Sequence, residues 1–163
     1  MKEDQTAVRK LFHFDAPREP YRADAAVIWC FDHRFDVSFR KFLRRAGVHA
    51  PDSIQVAGGA KNLASPNRES DREFILEQIR TSIRLHGTER VILMVHSDCG
   101  AYGGLPAFGS DRCAEFEHLR GELERAALVV RRVFPSLQIE TRIVDFEGVW
   151  DPELLAAQES ARA

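Results

Sequence analysis

Two stretches of the chain are apolar at every position, Ala25-Ala26-Val27-Ile28-Trp29-Cys30 and Val91-Ile92-Leu93-Met94-Val95, and polar residues follow each within two positions. Successive side chains of a strand point to opposite faces, so a run that is apolar on both faces needs cover on both. A strand inside a parallel sheet with helices on either side meets that demand. This feature predicts an α/β fold. It also puts the polar residues that follow each run at the carboxyl edge of the sheet, where open parallel sheets hold their ligands.

The sequence around the two runs supplies the covering helices. From Asp36 to Gly47, Val37, Phe39, Phe42 and Leu43 fall near helical spacing, with Gly47 as the C-cap. Ser53 to Val56 reads as a second strand that ends in Gly58-Gly59. Ser70 opens a helix to about His86, with Glu73 at the capping-box spacing and Phe74, Ile75, Gln78, Ile79 and Ile83 facing inward. Ser110 or Asp111 caps a long helix through Phe116, Leu119, Leu123, Ala127 and Val130. Pro135 stops it, and Leu137 to Val144 forms a fourth strand before a tail that holds only a short helix. Right-handed crossovers then give one domain, a central parallel sheet of order 2-1-3-4 flanked by helices. Its expected limits are residues 24–144, after an N-terminal arm at 1–23 and before a C-terminal tail at 145–163.

Charge and composition narrow the class of function. Twenty-three basic and 25 acidic residues leave a net charge of −2, which supplies no field to recruit nucleic acid or an anionic membrane. The longest apolar run, Ala25 to Phe31, is far below the ~18 residues of a membrane span. No secretory leader is recognisable in MKEDQTAVRKLFHF, so a cytoplasmic location is expected. Three cysteines cannot build a disulfide framework, and in a reducing compartment thiols serve as ligands or nucleophiles.

Two of those thiols fall where the fold gathers ligands. Cys30 ends the first strand, and His96-Ser97-Asp98-Cys99 follows the third; in a 2-1-3-4 sheet these strands flank the topological switch point. Two thiolates and an imidazole suit zinc, and three protein ligands leave a fourth position open, the pattern of catalytic sites. By spacing alone the same residues also fit small buried groups at strand ends. Asp32 and Arg34 alternate with Cys30 along the chain and can enter the same cleft, as an acid oriented beside a dication or as a surface ion pair. Cys113 is expected to be a packing residue.

The segments Cys30-Phe31-Asp32-His33-Arg34 and His96-Ser97-Asp98-Cys99-Gly100 resemble the C-x-D-x-R and H-x-x-C-G motifs of the β-class carbonic anhydrases. Ala57 to Asn62 loosely resembles that family's glycine-containing loop. The resemblance covers about Ala25 to Gly104 and implies that Cys30, His96 and Cys99 ligate zinc, with Asp32 and Arg34 as the catalytic dyad. It further implies reversible hydration of carbon dioxide to bicarbonate, and a homodimer or higher homo-oligomer in which the arm, with Phe12 and Phe14, crosses the partner. Both ends of the chain are shorter than is usual in the family, and His33 stands where a small residue is common.

Other readings remain open at this point. The same site could hydrolyse carbon disulfide or carbonyl sulfide, or the zinc could stabilise a catalytically silent module. Cys99 could be a nucleophile with His96 as its base, because strand, turn and glycine resemble a nucleophile elbow. His13, His33 and His118 are candidate proton carriers, and Phe31, Phe35, Tyr102 and Phe108 could line a pocket. A C-x5-R phosphatase loop is excluded by Asp36 and Leu105, and no phosphate-cradling glycine motif is present.

Overall fold

The computed structural model describes residues 9–153. Five strands form one sheet in the order β2-β1-β3-β4-β5: β1 Ala25–Trp29, β2 Pro51–Gln55, β3 Arg90–His96, β4 Gln138–Val144 and β5 Val149–Trp150. The first four are parallel, and β5 runs antiparallel to β4. Four α-helices, α1 Asp36–Arg45, α2 Lys61–Ala64, α3 Glu69–His86 and α4 Arg112–Val133, lie between them. The expected 2-1-3-4 order is thus present and extended by one edge strand. Two residues at an antiparallel edge carry no periodicity, and β5 had no signal in the tail. The short helix expected in the tail lies largely outside the described residues, as does the start of the arm.

The alternation of β1 explains its composition. Ala26 and Ile28 join Leu93, Val95, Ile75, Ile79, Leu119 and Leu123 on the face covered by α2, α3 and α4. Ala25, Val27 and Trp29 join Ile92, Met94, Phe39 and Leu43 on the face covered by α1. Trp29 stacks on Phe39 with ring centroids 5.0 Å apart and planes 4° apart, adding a large aromatic contact to the packing of α1. Burying side chains of this size contributes about 1.5–3 kcal/mol each.

Some inward faces differ from expectation. In α3 the buried stripe is Ile75, Ile79 and Ser82, while Phe74 is 54% exposed. A rotation of about 100° per residue takes position 74 off the line joining 75, 79 and 82. Val37 is turned outward from α1 in the same way. The start of α3 also shifts. Asp71, rather than Glu73, reaches back to the chain entering the helix, accepting from the backbone N–H of Arg68 at 3.2 Å. Gly87 ends the helix with φ 61°, as its position predicts. Asp111 is the cap of α4, its carboxylate accepting from the N–H groups of Cys113 and Ala114.

Candidate metal centre

The carboxyl ends of β1 and β3 are neighbours because the two strands pair directly, Ile28 opposite Leu93. Cys30 therefore comes beside His96, the last residue of β3, and the turn that follows returns Cys99 to the same point. The ligand atoms of Cys30, His96 and Cys99 all lie within 4.8 Å of one another, and all three residues are buried.

The loop after β2 closes this group from one side. Gly59, with φ 54°, sits against the strand ends so tightly that a Cβ there would be 2.5 Å from the Met94 carbonyl oxygen and 3.1 Å from the Cys30 nitrogen. No other residue type fits that approach without displacing backbone. Its neighbour Gly58 donates its N–H to Cys30 Sγ at 3.4 Å. A buried acid on α4 ties together the end of α2 and the segment after β3. Glu122 accepts from Ser65 Oγ at 2.5 Å, Tyr102 Oη at 3.1 Å and Arg125 Nη2 at 2.5 Å.

The donor chemistry fits a metal ion. A carbonyl oxygen can only accept, so the 2.8 Å contact between His96 Nδ1 and the Ser97 oxygen requires a proton on Nδ1. His96 Nε2 is left buried with no hydrogen-bond partner among the described residues. A lone pair so placed beside two thiols is what a ligand needs, and the Nδ1 hydrogen bond fixes the tautomer. The thiols titrate as a pair. The Cys99 thiol, with His96 and the N–H groups of Gly58 and Asp32, draws Cys30 far below the ordinary thiol range against the opposing pull of burial. Cys99 is pushed far up by Cys30 and by burial. Two buried thiolates repel, and a bound cation would offset that repulsion.

Asp32 and Arg34 enter the same cleft. Asp32 begins a single turn of 3-10 helix, His33–Phe35, and accepts the Arg34 N–H at 3.0 Å. The Arg34 guanidinium donates from Nε at 3.1 Å to each carboxylate oxygen, and from Nη2 at 2.7 Å to Oδ2. These bonds pull the Asp32 carboxyl down to about 2, outweighing burial. Its Oδ2 lies 3.9 Å from His96 Nε2. Arg34 crosses to the second motif as well, Nη1 donating to Asp98 Oδ2 at 2.8 Å and Nη2 to the Asp98 carbonyl at 2.9 Å. The open cleft above is lined by Phe31, Asp32, Ala57, Gly58, Gly100 and Ala101.

The remaining candidates divide. His33 is exposed and is not among the residues that line the cleft. His118 is exposed on α4 beside the rings of Tyr102 and Phe108, and His13 is exposed in the arm. Phe31 borders the cleft, whereas Phe35 is buried beside Trp29. Cys113, expected to pack, is exposed instead. It falls on the solvent side of the first turn of α4, away from the stripe of Glu115, Leu119 and Glu122. Asp98 and Glu115 were not singled out from sequence. Asp98 has φ 51°, a conformation for which Asp and Asn are the usual residues after glycine. That preference, in the gap of H-x-x-C, is the signal it offered.

This mostly parallel five-stranded sheet, with its flanking helices, has the fold of β-carbonic anhydrase structures. A model of the family described as "Putative carbonic anhydrase" matches residues 22–152, and the chain belongs to that family. The crystal structure of β-carbonic anhydrase isoform I from Trichomonas vaginalis is similar, with a TM-score of 0.57 at 16% identity, covering 85% of this chain and 86% of that one. A carbonic anhydrase from Streptococcus mutans gives 0.55 at 17% identity over 84% and 87%. An uncharacterized protein of Rickettsia bellii is 25% identical over 130 residues, 78% of this chain and 79% of that protein.

Proposed function

We propose that the chain is a zinc-dependent carbonate dehydratase that interconverts carbon dioxide and bicarbonate. The observation that carries this reading is the Asp32 carboxylate, held by Arg34 with Oδ2 3.9 Å from the free Nε2 of His96. An acid serving only as a surface ion pair has no need to face a buried ligand group.

In this reading Cys30, His96 and Cys99 hold the zinc. When bound, the dication supplies the Lewis acidity that makes water a nucleophile near neutral pH. Asp32 does the positioning. Arg34 keeps it ionised far below neutrality, so it always accepts a hydrogen bond from the reacting water and turns that water's lone pair toward the substrate carbon. Four of Arg34's bonds hold Asp32, through its backbone N–H, Nε and Nη2. Nη1 and a further bond from Nη2 go to Asp98. The guanidinium is therefore a fixed bridge rather than a mobile charge. Phe31 and Ala101 give the cleft an apolar side suited to an uncharged gas.

The arm supports a homodimer. Leu11, Phe12 and Phe14 are 82%, 78% and 70% exposed, an apolar cluster that a lone chain leaves in water. The partner proposed is a second copy of this chain, with the arm laid across it. No helix among the described residues is long and apolar enough to cross a membrane. Free thiols at Cys30 and Cys99 suit a reducing, cytoplasmic setting.

The test is metal content and carbon dioxide hydration measured on one untagged preparation. About one zinc per chain with a rate well above buffer is expected. Zinc without hydration, but with turnover of carbon disulfide or carbonyl sulfide, would change the substrate. Zinc with neither activity would leave a binding module.

A further inference from the structure

Glu115 is 3% exposed on the inward face of α4, in line with Leu119. A carboxylate in such a position is costly unless it is bonded to something that needs it. Its Oε1 accepts the backbone N–H of Asp98 at 2.6 Å, a short, charge-assisted contact. Asp98 is the left-handed residue of the turn between His96 and Cys99. In that conformation its N–H faces α4 while its carbonyl and Oδ2 face Arg34. The remaining carboxylate oxygen, Oδ1, accepts the Leu105 N–H at 3.0 Å. Asp98 is thus held from three directions, and two of its oxygens set the plane of the guanidinium that holds Asp32.

We infer that Glu115 is a positioning residue for the Asp32–Arg34 pair, acting through the Asp98 amide. The inference rests on the role of that pair proposed above. Glu115 is not among the residues that line the cleft. Its effect passes along one chain of contacts, from Glu115 Oε1 to the Asp98 N–H, from the Asp98 oxygens to Arg34, and from Arg34 to Asp32. Without the acceptor, the half-buried Asp98 amide would lose its protein partner, and the left-handed turn would be held less firmly. Arg34 would then lose two fixed acceptors at once.

The experiment compares wild type, Glu115→Ala and Glu115→Gln by three readouts. These are zinc per chain, kcat and KM for hydration, and solvent exchange of the Arg34 Nε–H followed by NMR in metal-free and zinc-loaded protein. Glu115→Ala should keep its zinc and lose about 10- to 100-fold in kcat with little change in KM, the range for groups that orient an active site from behind. Its Arg34 Nε–H should exchange markedly faster. Glu115→Gln retains an acceptor oxygen and should restore most of the rate and the slow exchange. Unchanged kcat and Arg34 exchange in Glu115→Ala would overturn the inference, as would a glutamine variant as impaired as alanine. If Glu115→Ala does not fold, the wild-type Asp98 amide still decides. A strongly protected proton shifted downfield is expected, and exchange at the rate of an open loop would overturn the inference. A wild type without hydration activity would remove the proposed function but leave the Arg34 exchange comparison readable on its own.

Discussion

Arg34 and Asp98, 64 residues apart, are joined by two hydrogen bonds, Nη1 to Oδ2 at 2.8 Å and Nη2 to the carbonyl oxygen at 2.9 Å. The side chain that orients the acid of the first motif is thereby fastened to the turn of the second. Positions of the ligand group and of Asp32 are then set by one connected unit, not by two independent loops.

Replacing Asp32 by asparagine should leave zinc content and fold unchanged while lowering the hydration rate about 10- to 100-fold. An amide holds no charge and presents an N–H where an acceptor is needed. Arg34→Ala should act in the same direction, since Asp32 then loses its side-chain partner. Stopped-flow hydration with zinc measured on each protein checks both, and an unimpaired Asp32→Asn would remove the role assigned to the pair.

Cys30→Ser and Cys99→Ser should each lose bound zinc. A hydroxyl replaces the thiolate, and two remaining ligands do not hold the ion. Because metal binding is coupled to folding, both should also unfold at lower temperature than zinc-loaded wild type. Elemental analysis and thermal melts test this, and equal metal content and stability would refute the site.

Gly59→Ala should destabilise the protein by about 2 kcal/mol or more, combining a left-handed alanine with a forced contact in a packed region. The Cβ would meet the Met94 carbonyl oxygen at 2.5 Å and press on the Cys30 nitrogen, so zinc affinity should fall too. Gly47→Ala is the control, for Gly47 has φ 75° with nothing within 4 Å of a Cβ. Urea titrations showing equal losses for the two would reject the close-approach argument.

Acid should weaken the fold partly through Asp52. Burial raises its carboxyl, but Ser82 Oγ, Tyr21 Oη and His86 Nδ1, all donating to it, outweigh burial and hold it below the ordinary value. A depressed folded value means that the unfolded chain takes up the proton first. The contribution is therefore complete above about pH 4, the unfolded carboxyl value, and is lost as pH falls through the lower folded one. Asp52→Asn should be less stable by about 1–3 kcal/mol at pH 7 and should show a shallower decline below pH 4. Urea unfolding between pH 7 and pH 3 measures both, and parallel curves for the two proteins would contradict it.

If the arm holds the proposed homodimer together, a double variant, Phe12→Ser with Phe14→Ser, should shift it toward monomer. Sedimentation velocity at micromolar concentration reads this directly. A wild type that is already monomeric would exclude the arm as an interface.

What could be read from sequence follows burial. β1 and β3 were legible because both faces of each are covered, leaving an unbroken apolar run, and the buried Cys30-His96-Cys99 group was legible because its members follow those runs. Asp98 and Glu115 were not. Their importance lies in a backbone angle and in one hydrogen bond between residues 17 apart, neither of which alters a hydrophobic pattern. Glu115 does break one, as an acid in register with Leu119 and Glu122 on a buried helical stripe, and an acid there signals a donor waiting inside. Phe74 misled for the opposite reason, since an aromatic residue beside an apolar stripe is counted into it by spacing alone.

The direct pairing of β1 with β3 also dictates an order of events during synthesis. The His96–Cys99 turn offers only two ligands, and the third lies on a strand made 66 residues earlier, a count taken from Cys30 to His96. If the proposed zinc binds here, no local segment of the growing chain can capture it, and capture would wait until the third strand has left the ribosome and docked beside the first. Glu115, on α4, emerges later still. An ion acquired at the earliest moment would meet an Arg34 not yet tethered by a finished turn. Pulse-labelled chains truncated after residue 104, which lack α4 and β4, should then take up zinc more weakly than the full chain.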